Sequence, residues 1–154
     1  MPLRLHDTRR RDKVTFSTME PGKVSMYVCG VTVYDRCHLG HARCYLAFDL
    51  IHRWLEYSGF DVHYVQNFTD IDDKIITRAN ELDGDWKALV EENIAAYYED
   101  MDALNILRAD DYPRCTDYVE DMIRITQDLI DKGNAYQADE GVYFDIESAP
   151  EKYG

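Results

Sequence analysis

With 154 residues, 45% hydrophobic and 31% charged, the chain has the size and balance of one folded soluble domain, not of a disordered segment. Its net charge of −13 argues against binding nucleic acid through the whole surface, and DNA is not an expected partner. No stretch approaches the roughly 20 apolar residues that span a membrane, so none is expected as a partner. The start, Met1-Pro2-Leu3-Arg4, has no apolar signal core, and the four cysteines lack the spacing of a small secreted scaffold. A cytoplasmic protein whose cysteines are thiols or metal ligands is the expectation.

In chain order, residues 1 to 23 are polar, and Lys13-Val14-Thr15-Phe16 could form an edge strand. Arg4, Arg9, Arg10, Arg11 and Lys13 cluster there, and a solvated edge is the preferred reading of that cluster. After the Pro21-Gly22 turn signal, Val24 to Cys29 reads as a buried strand. Leu46, Leu50, Ile51, Trp54 and Leu55 then recur at helical spacing, with Gly59 as the stop. Asp61 to Phe68 alternates as a second strand. Strand, helix and strand form a βαβ unit whose strands lie parallel, so Cys29–His41 and Asn67–Asp70 share the carboxyl edge where α/β sheets bind ligands.

A short helix is expected from Thr69 to about Leu82, with Asp70, Asp72 and Asp73 preferred as cap and first-turn acids over a magnesium cluster. Asp85 caps the next helix, whose stripe from Trp86 to Leu104 packs a core. Pro113 starts a further helix, ended by Gly133, with Val119, Met122, Ile123 and Ile130 inward. Residues 134–138 and 142–146 flank Asp139-Glu140-Gly141 as a β-hairpin with a three-residue loop.

The chemistry concentrates in Cys29 to Arg43. His38-Leu39-Gly40-His41 stands at the head of a helix, where unpaired N–H groups and a partial positive charge suit a phosphate. Two imidazoles three residues apart can donate to phosphoryl oxygens without exchanging a proton, and Gly40 leaves room for a flat ring. Taken alone, Cys29 reads best as a small buried residue. A local zinc site from Cys29, Cys37, His38 and His41 is conceivable by ligand type, but its spacing is unusual and it would take both histidines from the phosphate.

M-Y-V-C-G-V-T-V-Y-D-R-C-H-L-G-H-A-R, residues 26–43, resembles the signature of cysteinyl-tRNA synthetases. Y-V-Q-N-F-T-D-I-D-D-K-I-I, residues 64–76, is similar to that family's next block, and Asp102 to Arg108 and Ala135-Tyr136 resemble two more. The match runs from about Leu5 to the last residue. It implies an α/β chain, the N-terminal half of a Rossmann-like class I synthetase catalytic domain over residues 1–133, with 134–154 starting an inserted connective domain. The implied reaction activates cysteine with ATP to cysteinyl-adenylate and then transfers the cysteinyl group to tRNA(Cys), with magnesium accompanying ATP.

By the same resemblance, His38 and His41 are catalytic groups at the ATP phosphates, and Gly40 seats the adenine. Cys29 becomes the first of four zinc ligands, reversing the buried reading, and the zinc would bind the thiolate of substrate cysteine. Cys29, Gly30, Thr32 and Thr69 fall at positions of the amino-acid pocket. Cys37, Cys44 and Cys115 match no functional position.

The departures set a limit. The family's other three zinc ligands lie in a second half that these residues do not contain. Lys13, Lys23, Lys74, Lys87, Lys132 and Lys152 form no K-M-S-K-S loop, and these residues include no anticodon-binding domain. The expectation is therefore the N-terminal half of such an enzyme, inactive by itself and reaching tRNA mainly through other parts. The alternative is a stand-alone, non-catalytic remnant that binds ATP or a partner protein.

Overall fold

The computed structural model describes residues 3–150, and the chain divides into two compact units, Met1–Pro113 and Arg114–Gly154. The first unit begins with a hairpin of β1 (Arg4–Asp7) and β2 (Asp12–Thr15). Asp7 organises its turn by accepting from the backbone N–H groups of Arg9 and Arg10 at 2.9 and 3.3 Å. The basic cluster lies on this exposed hairpin. Its first strand carries no clear alternation, which is why only the second was legible.

The centre of the unit is β3 (Lys23–Val28), α1 (Leu39–Tyr57) and β4 (Asp61–Gln66), with the two strands parallel from Lys23↔Asp61 to Val28↔Gln66. The expected βαβ arrangement is therefore present. α2 (Asp73–Glu81) follows, and its cap is Asp72, which accepts from Lys74 N at 2.9 Å. Asp73 sits in the first turn, whereas Asp70 is buried. α3 (Trp86–Ala103) is capped by Asp85 and buries Val90, Ile94, Tyr97 and Met101, as its stripe predicts. Leu104, placed in that stripe, is exposed at the helix end.

After α3 the backbone turns through Asn105 at a φ of 56°, a left-handed position that asparagine tolerates. Residues 110–113 then run beside β4. Asp110 N donates to Tyr64 O at 2.8 Å, Gln66 N to Asp111 O at 3.0 Å, and Phe68 N to Pro113 O at 2.9 Å. This segment covers the outer edge of β4, so those strand groups are paired.

The core joins Val28, Val31, Val33, Tyr64, Phe68, Ile75, Ile94 and Tyr97. Phe68 meets Tyr97 edge-on at 5.2 Å and stacks on Tyr112 at 5.3 Å, geometries that aromatic quadrupoles favour. α1 contributes Tyr45, Asp49, His52 and Leu55, while Leu46, Leu50 and Trp54 are exposed. Of the apolar residues at helical spacing Leu55 is buried and Ile51 half-buried, and the helix turns the side bearing Leu46, Leu50 and Trp54 outward. Asp49 explains the choice: its carboxylate accepts from Leu107 N at 2.8 Å and from Arg53 Nε at 2.7 Å.

In the second unit a short 3₁₀ turn, Cys115–Tyr118, precedes α4 (Val119–Asp131). The helix therefore begins six residues after Pro113. Val119, Met122 and Ile123, expected inward, are exposed, and no residue of α4 is buried. A unit this small has little core with which to cover that stripe. β5 (Ala135–Ala138) pairs with β6 (Gly141–Phe144), and Ala138↔Gly141 closes a two-residue loop instead of the expected three. Gly141 belongs to the strand, not the turn. Among the described residues no helix is long and apolar enough to cross a membrane.

A Cβ on Gly30 would lie 1.4 Å from the carbonyl oxygen of Asn67, which is main chain and cannot rotate away. Gly30→Ala is expected to lower stability by about 3 kcal/mol, read from urea unfolding of the chain. An unchanged midpoint would contradict this close approach.

Candidate functional site

The site grows from the end of β3. Pairing with β4 holds residues 38 apart through Val28↔Gln66, but at Thr32↔Thr69 the partners are 37 apart. One extra residue therefore sits on the first strand, a bulge spanning Cys29 to Val31. Bulges re-aim side chains and often lie beside active sites. Here the Cys29 side chain is exposed, while Val31 and Val33 return to the core. Thr69 N donates to Val31 O at 3.0 Å and Val33 N to Thr69 O at 3.3 Å, which places Thr32 beside Thr69.

Buried polar groups from the helices hold this turn. Tyr45, in the second turn of α1, donates its hydroxyl to Cys29 O at 3.3 Å. Asn93 of α3 donates from Nδ2 to Val33 O at 3.2 Å. Gln66, 2% exposed, accepts from the Tyr64 hydroxyl at 2.9 Å and donates to the Tyr97 oxygen at 2.6 Å. Burial pushes all three tyrosine hydroxyls upward, so they stay protonated donors.

His38 is the N-cap of α1. Its Nδ1 accepts from Gly40 N at 3.0 Å, while His41 Nδ1 accepts from His38 N at 3.3 Å. Two histidines thus make the reciprocal cap usually built from a hydroxyl and a glutamate. Their rings stack with centroids 4.0 Å apart and planes 20° apart. With each Nδ1 an acceptor, the ring hydrogen of each belongs on Nε2. Burial, and then the charge His38 would carry, hold the His41 pKa below its ordinary value and favour a neutral ring.

Gly40 has a specific reason to lack a side chain. A Cβ there would meet His38 Cε1 at 2.6 Å and Nδ1 at 2.9 Å, displacing the capping ring. The arrangement offers Nε2–H donors at the positive end of a helix, at the carboxyl edge of parallel strands. That combination suits an anion with several oxygens.

The structure gathers His38, Gly40 and His41 at the helix head, and Cys29, Gly30, Thr32 and Thr69 around the bulge. Among the described residues, no three His, Cys, Asp or Glu side chains are placed to hold a metal ion. The local zinc alternative is thereby disfavoured: both Nδ1 atoms serve the cap, and burial with the charge of Asp100 pushes the Cys37 thiol up to about 11. Cys29 alone is one thiol, and this donor set does not fit a zinc ion. Residues that sequence reasoning missed are Tyr45, Gln66, Asn67 and Asn93. For Gln66 the signal was available, since a glutamine occupies an inward position of an otherwise apolar face.

Residues 15–154 match the family model described as the tRNA synthetases class I (C) catalytic domain. The cysteine–tRNA ligase of a Cyanothece species is 51% identical over 154 residues, covering 100% of this chain and 31% of the relative. That of Trichlorobacter lovleyi is 52% identical over 150 residues, covering 97% of this chain and 31% of the relative. The chain thus spans about a third of the length of these curated relatives.

Among solved structures, Mycobacterium tuberculosis methionyl-tRNA synthetase in complex with methionyl-adenylate aligns with a TM-score of 0.63 and 26% identity, over 73% of this chain and 23% of that one. The LeuRS of Agrobacterium radiobacter K84, in a ternary complex with tRNA and LeuAMS, aligns with a TM-score of 0.65 over 77% of this chain and 16% of that one. At 20% identity it speaks for the fold alone. With a matching family model over most of its length and a class I catalytic-domain fold, the chain belongs to the class I (C) tRNA synthetase family, that of the cysteinyl-tRNA synthetases.

Proposed function

We propose that these residues are the ATP- and cysteine-binding part of a cysteine–tRNA ligase. The observation that carries this reading is the paired-histidine cap of α1 at the carboxyl edge of β3 and β4. In the reaction, the carboxylate of cysteine attacks the α-phosphate of ATP, and the bond to the β-phosphate breaks to release pyrophosphate. The cysteinyl group then passes from the adenylate to the terminal ribose of tRNA(Cys).

His38 and His41 donate from Nε2 to phosphate oxygens whose charge grows as the leaving group departs. Neutral rings suit the task, because each needs its Nδ1 lone pair to keep the cap closed. The adenine lies at Gly40 beside the His38 ring, with magnesium arriving on the ATP. Cys29, Gly30, Thr32 and Thr69 form the wall that receives cysteine, and residues 1–133 act as part of the catalytic domain, with 134–154 opening the connective one. Zinc, if bound, would need ligands beyond Cys29.

Cysteine-dependent ATP–pyrophosphate exchange tests the reading. Residues 1–154 alone are expected to be inactive, and mixing with the remaining two thirds of a relative is expected to restore exchange. Exchange by the chain alone would show that the phosphate site is already sufficient; none in the mixture would favour a non-catalytic binding role.

In a full-length ligase carrying this segment, His41→Ala is expected to lower the exchange rate about a hundredfold, with the KM for cysteine little changed. A raised KM for cysteine at an unchanged rate would remove His41 from the phosphates. For zinc, the isolated chain is expected to hold well under one equivalent after dialysis. In the full-length enzyme, Cys29→Ser should lose the metal, as measured by elemental analysis. Stoichiometric zinc in that variant would exclude Cys29 as a ligand.

A further inference from the structure

The bulge at the end of β3 leaves one backbone group out of the ladder. Gly30 N–H has no main-chain rung, because the extra residue carries it past its partner on the second strand. A side chain supplies the rung instead: Gly30 N donates to Asn67 Oδ1 at 2.8 Å. The same oxygen accepts from the Tyr27 hydroxyl at 2.8 Å, and Asn67 Nδ2 reaches Thr69 Oγ1 at 3.4 Å.

We propose that Asn67 is the positioning residue of the amino-acid half of the site, its amide fixing Gly30 and Thr69 relative to one another across the bulge. This rests on the cysteine-binding reading of those residues given above. Tyr27 precedes the bulge, Gly30 lies inside it and Thr69 follows on the other strand, so a single planar amide spans the whole break. Cys29, between Tyr27 and Gly30, is carried by the same bonds.

The amide also sets the polarity of the Thr69 hydroxyl. Accepting from Nδ2, that hydroxyl has its own hydrogen to give, so it faces the ligand as a donor. A donor at this position suits an acceptor group on the amino acid, which its carboxylate supplies. Asparagine fits the position as few residues would: it needs an acceptor towards Gly30 and a donor towards Thr69 on one short, stiff side chain.

Steady-state pyrophosphate exchange in a full-length ligase carrying this segment tests the assignment. Asn67→Asp keeps the acceptor for Gly30 and Tyr27 but removes the donor to Thr69. The expected result is a KM for cysteine raised about tenfold, with the KM for ATP unchanged within about twofold and the melting temperature nearly unchanged. Asn67→Ala removes all three bonds and is expected to raise the KM for cysteine further. Should the alanine variant fail to fold, the aspartate variant still decides.

An unchanged KM for cysteine in Asn67→Asp overturns the assignment. Parallel increases in both KM values with a fallen melting temperature also overturn it, since that is the mark of a merely structural bond. Absence of exchange in the unsubstituted enzyme is distinguishable from either, and overturns the cysteine-binding reading together with this inference.

Discussion

The change of register between β3 and β4 is the constraint on which the rest depends. Up to Val28 the two strands pair evenly; beyond it the first strand carries one more residue than the second. That surplus needs a residue without a side chain at Gly30, because the Asn67 carbonyl occupies the place of a Cβ. It leaves the Cys29 side chain exposed and returns Val31 and Val33 to the core. The apolar residues either side of the bulge resist its slipping, since a one-residue shift would exchange buried valines for exposed positions.

The helix that bears the histidines is tied to this bulge by polar bonds in a largely apolar core. Tyr45 reaches Cys29 O from α1, and Asn93 reaches Val33 O from α3. On the same helix, Asp49 and Arg53 fasten α1 to the segment after α3 through Leu107 N and Asn105 O. A buried carboxylate is tolerable because it has both a guanidinium and a backbone N–H. Such bonds are directional where apolar packing is not, so they set where the two halves of the site stand.

Those same polar anchors decide what the sequence could disclose. β3, α1, β4, α2 and α3 follow from alternation, helical spacing and Asp caps, so the parallel edge and the His38–His41 turn were legible. The buried face of α1 was not, because hydrophobic spacing favours Leu46, Leu50 and Trp54, whereas Asp49 and His52 lie inside. A carboxylate is counted as a surface residue until its partner, 58 residues away at Leu107, is known. The bulge was hidden for the same reason. Gly30 announced an unusual backbone, but only the pairing of Thr32 with Thr69 shows that one residue is in surplus and that Asn67 compensates for it.

The cap itself joins stability to chemistry. His41 must keep Nδ1 unprotonated to receive His38 N–H, and burial already lowers its pKa from the ordinary 6.5. As pH falls below about 6.5 the unfolded imidazole takes a proton before the folded one does, so His41 withdraws stability over the interval down to its folded pKa. Above that interval its contribution is complete, which covers the neutral range where phosphate oxygens are fully charged. A protonated ring would offer a stronger attraction for the anion but would open the cap that orients it. The fold therefore sets orientation ahead of charge, and leaves the positive field to the helix start, where the backbone N–H groups supply it without any titration.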